Sequence, residues 1–297
     1  MKDFPIPVVA LGPGSQPDDD GLDVLAMPQG MATFRGPSLP EPEEVAGRAG
    51  AHRVLREALQ ALEVVRHVGG SREVGLQGLA PDELALVNQV LGEGEVSARI
   101  SDRLEDDAVA AEGREWRIQE SVFAGVWRVL GFEDGRPVSD HLEIGRIPVA
   151  LLAAARADVA GRALPPAPEP LPPGVMNAPM LLTEIEDQWC RWQPGAPAHV
   201  VNLTLLPMAA PDIAFLDHQL GTGRVLVLSR GYGNCRITDT RRPHTWRVVY
   251  YNSQDTVILN TVEVIDVPEV ACAAVVDLHD SHERLLEVLQ WVEGGAR

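Results

Sequence analysis

Two stretches of the chain, more than a hundred residues apart, repeat one pattern. Pro81-Asp82-Glu83-Leu84-Ala85-Leu86-Val87-Asn88-Gln89-Val90-Leu91-Gly92-Glu93-Gly94 reads against Pro211-Asp212-Ile213-Ala214-Phe215-Leu216-Asp217-His218-Gln219-Leu220-Gly221-Thr222-Gly223 with one residue dropped. The match resumes at Trp127-Arg128-Val129 against Trp246-Arg247-Val248. It resumes again at Leu142-Glu143-Ile144-Gly145-Arg146-Ile147-Pro148 against Val262-Glu263-Val264-Ile265-Asp266-Val267-Pro268. Three collinear matches rarely arise by chance, and an internal repeat constrains the architecture before any local reading does. The expected fold is α+β: two tandem related modules, each a small, mainly antiparallel sheet packed by helices, joined by a Pro-rich linker.

A length of 297 residues suits about two domains, each able to bury its own core. The longest apolar runs, such as the one over 147–155, fall well short of the ~20 residues a bilayer crossing takes. The start, Met1-Lys2-Asp3-Phe4-Pro5-Ile6-Pro7, has an acid and two prolines where a signal peptide has a basic start and a clean apolar stretch. The expectation is a soluble cytoplasmic protein with no membrane insertion. Forty-three acids against twenty-five bases give a net charge of −18. Such a field repels a phosphate backbone, which argues against nucleic acid as a partner; it serves solubility or a surface that meets basic partners. Three scattered cysteines, Cys190, Cys235 and Cys272, with no CxxC, suit neither a disulfide framework nor a four-cysteine zinc site, so free thiols are expected.

Residues 1–45 are rich in Pro, Gly and acids and read as an arm whose apolar cluster over 22–31 could dock on the body or on a partner. The first module is placed at 46–162, the linker at 163–175 and the second module at 176–297. In the first, Val54, Leu55, Leu59, Leu62 and Val65 at helical spacing predict a helix over 45–68, stopped by Gly69-Gly70. A short strand over 72–79 follows. Pro81 then opens a helix in its first turn, where a missing N–H costs nothing, and Gly92 ends it. Strands are predicted over 95–100, 120–130 and 142–147, and a helix over 148–159. The acidic stretch over 102–115 has no counterpart in the second module and reads as a surface insertion. The prolines over 163–174 favour polyproline II, a semi-rigid spacer. The second module predicts helices over 179–192 and 211–220, and strands over 199–206, 224–229, 246–252 and 256–264. Its final helix runs from near Pro268 to Trp291, with Leu278, Leu285, Leu286 and Leu289 as the apolar stripe.

Leu-Gly-x-Gly, at 91–94 and 220–223, joins a helix end to a strand. A phosphate-cradling loop runs the opposite way, strand into helix, so this pattern reads as a helix C-cap turn. The richest segment is Ser229-Arg230-Gly231-Tyr232-Gly233-Asn234-Cys235-Arg236. Gly231, Gly233 and Asn234 supply turn conformations, and Arg230 and Arg236 flank Cys235. Neighbouring guanidinium charge favours a thiolate, the form that binds metal or attacks, whereas a strand cysteine often serves as a small core hydrophobe. His279, His282 and Glu283 lie at helical spacing that could reach one metal, or simply form a solvated face. The Trp-Arg-Val strands read as structural: the tryptophan packs a sheet face and the arginine is placed to pair across to Glu143 or Glu263. Trp189 and Trp192 read as core or as a docking patch. No catalytic constellation is visible, and the expectation is a non-enzyme; the alternative is a thiol- or metal-dependent carrier or enzyme using Cys235, with His244 or the pair His279 and His282.

The sequence resembles the HupH/HyaF/HoxV hydrogenase expression (maturation) proteins that accompany uptake NiFe-hydrogenases. The resemblance runs through Leu11-Gly12-Pro13-Gly14-Ser15-Gln16-Pro17, Met27-Pro28 and Met31, and the tandem modules. It is most specific in Gly231-Tyr232-Gly233-Asn234-Cys235-Arg236, Trp246-Arg247-Val248, Tyr251-Asn252-Ser253 and Glu263-Val264-Ile265-Asp266-Val267-Pro268-Glu269-Val270. It implies an accessory chaperone or scaffold whose partners are the hydrogenase large-subunit precursor and HypC-type maturation chaperones. It implies no intrinsic cofactor, but transient handling of an Fe(CN)2CO iron complex, with Cys235 as the residue to test as a transient ligand. A homodimer is left open.

Overall fold

The computed structural model describes residues 47–101, 113–159, 164–231 and 233–294. The amino-terminal arm, most of the acidic stretch over 102–115 and Tyr232 lie outside the described residues. The chain divides into two compact units. One is discontinuous: the described residues up to Leu151 together with those from Glu269 onward. The other is the continuous stretch Leu152–Pro268.

The discontinuous unit opens with α1 (Ala49–Val68), whose stripe Val54, Leu55, Leu62 and Val65 is buried and whose end is capped by the Gly69 N–H on the Val65 carbonyl. Next come β1 (Ser71–Gly75), α2 (Pro81–Leu91), β2 (Val96–Ser101), β3 (Arg114–Glu120), β4 (Val126–Glu133) and β5 (Arg136–Gly145). The strands form an antiparallel sheet in the order β1-β5-β4-β3-β2. Its core joins Val126, Leu142 and Ile144 of the sheet to Leu55 and Leu62 of α1, Val87 and Val90 of α2, and Leu278, Leu285 and Leu289 of the final helix. A short helix, α3 (Val149–Ala157), spans the division between the units in sequence.

In the continuous unit come α4 (Ala178–Arg191), β6 (His199–Asn202), α5 (Ala210–Leu220), β7 (Val225–Ser229), β8 (Asn234–Asp239), β9 (Thr245–Tyr251) and β10 (Val257–Val264). Their antiparallel order is β7-β8-β9-β10-β6. Leu182, Ile185 and Trp189 of α4 and Phe215, Leu216 and Leu220 of α5 pack on Val201, Val262 and Val264. The α+β class with antiparallel sheets therefore stands.

Two expectations are corrected. The final helix, α6 (Val275–Gly294), packs on α1 in the discontinuous unit, not on the strands that precede it in sequence. Its leucine stripe marks a buried face but carries no information about which core receives it. The strand expected over 120–130 is two strands, β3 and β4, separated by a turn in which Ser121 Oγ donates to the Phe123 carbonyl and Gly125 takes φ +82°. The Pro-rich segment is tied down at its ends: Leu164 packs on the core of the continuous unit and its N–H donates to Glu186, while Val175 is buried.

One device recurs in both units. Glu83, in the first turn of α2, accepts the N–H groups of Ala80 (3.1 Å) and of Gly50 (2.6 Å), which opens α1. Asp212, in the first turn of α5, accepts the N–H of Ala209 and, on one oxygen, those of Met176, Asn177 and Ala178 at 2.8–3.0 Å. Each acid thus caps its own helix and anchors the start of the helix before it. Burial alone raises the Asp212 carboxyl, but the N–H donors of Ala178, Met176, Asn177 and Ala209 outweigh it and hold it below the usual carboxylate value. A depressed acid contributes stability above its unfolded value, near pH 4, that is lost as pH falls through the folded value. Asp212→Ala is expected to lower the unfolding free energy by about 3 kcal/mol in urea titrations at neutral pH, with the deficit shrinking in acid. An effect below about 0.5 kcal/mol would contradict the anchoring role.

Candidate functional site

Strand alternation decides what surrounds Cys235. On β8, Cys235, Ile237 and Asp239 are buried on one face, while Asn234, Arg236 and Thr238 stand on the other. Cys235 is opposite Ser229 on β7 and Tyr250 on β9. Arg236, adjacent in sequence, therefore projects away from it; Arg230 and Gly231 lie past the end of β7, and Gly233, at φ +99°, leads into β8. The expected thiolate is not what this setting favours. Burial pushes the Cys235 thiol up to about 12, a hydrogen bond with Tyr250 opposes the rise and the Glu263 charge adds to it. Tyr250 is likewise pushed up to about 12 by burial, and burial raises Glu263. Cys235, Tyr250 and Glu263 lie on one sheet face, and Thr261 Oγ1 donates to Glu263 Oε1 at 3.2 Å.

The same face carries Asp239, which the sequence reading missed. Its Oδ1 accepts the Val225 N–H at 2.9 Å, its main-chain carbonyl accepts the Gly223 N–H, and its Oδ2 is buried. Asp158, just past α3, is within hydrogen-bonding reach and itself takes the Arg224 N–H (2.6 Å) and Arg224 Nε (2.5 Å). Two carboxyls facing each other require a shared proton. Burial first, then the Asp158 charge and hydrogen bond, raise Asp239 to about 8, against the Val225 N–H. In the discontinuous unit, Glu120 ends β3 as Asp239 ends β8. Burial raises it to about 7, its Oε1 accepts the Gly125 N–H, and its carbonyl accepts the Gly94 N–H. The signal for both was the Leu-Gly-x-Gly turn. Gly92 and Gly221 are the helix caps expected, but the second glycine serves close approach. A Cβ at Gly223 would fall 2.1 Å from an Asp239 oxygen, and one at Gly94 2.2 Å from the Ser121 carbonyl.

Other candidates are not brought together. His244 precedes β9 while Tyr250, the partner of Cys235, is near its end, so the two sites are roughly 20 Å apart along the strand. His244 stacks on Trp192 at 3.5 Å, and Trp189 is core. On α6, His279 bonds the Val275 carbonyl and His282 Nε2 meets Glu63 of α1 at 3.0 Å, so both histidines serve the helix and its seat. Among the described residues no group of three or more His, Cys, Asp or Glu is arranged to hold a metal ion. None of the three cysteines forms a disulfide. The arginines of the Trp-Arg-Val strands do not meet Glu143 or Glu263, because the register sets Trp127 and Trp246 opposite those glutamates. Arg128 and Arg247 point to the opposite face.

The continuous unit also presents exposed apolar side chains near the start of α4 and after β6. Met176, Met180 and Leu205 are 72%, 76% and 81% exposed, Leu206 is 38% exposed, and Asn177 Nδ2 donates to the Pro207 carbonyl at 2.7 Å, tying the two segments together. Methionine is a side chain that adapts to varied partner surfaces.

The chain matches the family model "HupH hydrogenase expression protein, C-terminal conserved region" over residues 49–163 and again over 175–292. It is 53% identical to the hydrogenase expression/formation protein HoxQ of Cupriavidus necator, over 98% of this chain and 99% of the relative. It is 43% identical to the hydrogenase expression/formation protein HupH of Rhodobacter capsulatus, over 98% of each chain. The hydrogenase-1 operon protein HyaF of Escherichia coli is 34% identical over 96% of each. Among solved structures, the hydrogenase expression protein HupH from Thiobacillus denitrificans matches 37% of this chain and 92% of its own, at 28% identity and a TM-score of 0.35.

Two outcomes follow from the buried groups. Between about pH 4 and about 8 the folded chain keeps on Asp239 a proton that the unfolded chain has released, so this stabilisation is full below pH 4 and lost as pH rises toward 8. The urea midpoint of Asp239→Asn should therefore fall less over that range than the wild type's; parallel profiles would refute the shared proton. With a thiol-specific disulfide reagent at pH 7.5, Cys190 should react readily, and Cys235 only after denaturation. Prompt modification of Cys235 in the native chain would show the thiol to be open.

Proposed function

The chain belongs to the HupH family of hydrogenase expression proteins, and on that premise we propose that it is a non-catalytic accessory factor in hydrogenase maturation. It acts in the cytoplasm as a scaffold that docks the large-subunit precursor of an uptake NiFe-hydrogenase while HypC-type chaperones deliver the Fe(CN)2CO centre. The observation that carries this reading is the exposed methionine and leucine surface of Met176, Met180, Leu205 and Leu206 in a chain whose relatives are named for hydrogenase expression and formation. Its side chains suit an incompletely folded partner, whose apolar segments vary in shape. The burial of Cys235 and its raised thiol also favour docking over a thiolate carrier.

The two units are read as related copies whose terminal helices have been exchanged. The family model matches twice, and the strand orders β1-β5-β4-β3-β2 and β6-β10-β9-β8-β7 coincide. The α6 helix, from the second half of the sequence, sits on the discontinuous unit, while Arg156 and Asp158, at and beyond the end of α3 from the first half, bind Asp266 and Arg224 in the continuous unit.

The test is a deletion strain. Under aerobic growth the large subunit is expected to accumulate without its iron centre, visible as lost cyanide and carbonyl infrared bands; normal loading would defeat the proposal. In the complemented strain, Met180→Glu with Leu205→Glu is expected to cut co-purification of the precursor at least roughly tenfold while leaving the melting temperature unchanged, because both side chains are exposed.

A further inference from the structure

The two units end in edge strands that are protected differently. In the discontinuous unit the edge is β1 and in the continuous unit it is β6. Their registers match position by position: Glu73 lies opposite Glu143 as Val200 lies opposite Glu263, and Arg72 opposite Ile144 as His199 lies opposite Val264. An unpaired edge is a template for another strand, and charged side chains are a usual guard against it. β1 carries two, Arg72 and Glu73, both exposed. At the Glu73 position β6 carries Val200, 49% exposed.

The direction of the main chain along β6 follows from a bond just past its end. Leu203 donates its N–H to the Asn260 carbonyl at 2.9 Å, so by antiparallel alternation Val201 and His199 also turn toward β10, while Val200 and Asn202 turn outward. Among the described residues no backbone group meets the Val200 N–H, the Val200 carbonyl or the Asn202 N–H. The Asn202 carbonyl accepts the Leu205 N–H at 3.3 Å, which closes the open run at that end. The edge also has an apolar flank. Glu184 of α4 meets His199 at 2.8 Å, which sets that stripe of the helix beside β6, and Met180 stands one turn earlier on the same stripe. The exposed Leu205 and Leu206 follow in the loop after β6.

We infer that β6 receives an extended segment of a partner protein as an added strand. Main-chain bonds to Val200 and to the Asn202 N–H set its register. Its side chains alternate between the Val200 face and the Met180 stripe of α4, so the segment is apolar where it meets these two and neutral or basic elsewhere. A second copy of this chain suits the edge less well, because each copy carries a net charge of −18 and the two repel.

This inference rests on the docking reading proposed above. The experiment mixes the full-length chain with the large-subunit precursor of the same host and follows amide hydrogen exchange. On binding, the Val200 and Asn202 amides are expected to slow at least roughly tenfold, while the inward His199 and Val201 amides keep their rates. Binding that leaves the outward amides unchanged would overturn the added strand. Val200→Pro removes the donor where an edge strand tolerates proline, and Val200→Glu copies the charge that Glu73 gives β1. Each is expected to keep the melting temperature within about 3 °C and to weaken binding at least roughly tenfold. Full binding by both variants, with Met180→Glu and Leu205→Glu still disruptive, would keep the docking surface and overturn the strand. A free chain that sediments as a dimer with these amides already slow would make the occupant a second copy and overturn the partner assignment. If the wild-type chain fails to bind the precursor at all, the docking reading falls and this inference with it.

Discussion

Each sheet depends on a place where backbone and carboxyl come too close for a side chain to intervene. Gly223 lies against Asp239 and Gly94 against the end of β3, and in each case the glycine N–H bonds the carbonyl of the acid that ends the strand. That contact fixes how the helix before it, α2 or α5, passes into strand β2 or β7. It has a cost, because the acid's side chain is buried where water cannot reach it, and the fold holds it protonated or hydrogen-bonded. The turns after these strands, the capping glycines and the first-turn acids Glu83 and Asp212 build outward from the same junctions.

Much of this was legible. The α+β class, the helices ended by Gly69, Gly92 and Gly221, and most strands follow from periodicity and punctuation. The destination of α6 does not: its leucines state which face is buried, while the choice between two similar cores is a tertiary matter. The reading also assumed that each copy keeps its own elements, which no local pattern enforces. The β4–β5 hairpin was signalled by Asp134-Gly135, both at positive φ, and the turn between β3 and β4 by Gly125; both signals were passed over inside an apolar stretch.

The candidate site was legible in part. The segment over 229–236 does place Cys235 in a strand just past a glycine turn. Sequence neighbours, however, are not spatial neighbours in a strand: Arg236 adjoins Cys235 along the chain and faces the other side of the sheet, whereas Tyr250 and Glu263, which do set the thiol's state, come from strands 15 and 28 residues on. The same alternation explains why Arg128 and Arg247 miss Glu143 and Glu263. Pairing across a sheet is decided by register, and register can be read only once the turns are known.

The two units share one strand order. Differences between matched positions cannot be blamed on the fold, since the fold is met in both units with the same strand order. At the arginine position one unit engages all three guanidinium nitrogens of Arg128, and among the described residues the other leaves Arg247 Nη1 and Asn260 Oδ1 without partners. Among the described residues Met176, Met180 and Leu205 stand exposed in the continuous unit, and Val68, Val276, Leu286 and Trp291 in the discontinuous one, where α6 packs on α1.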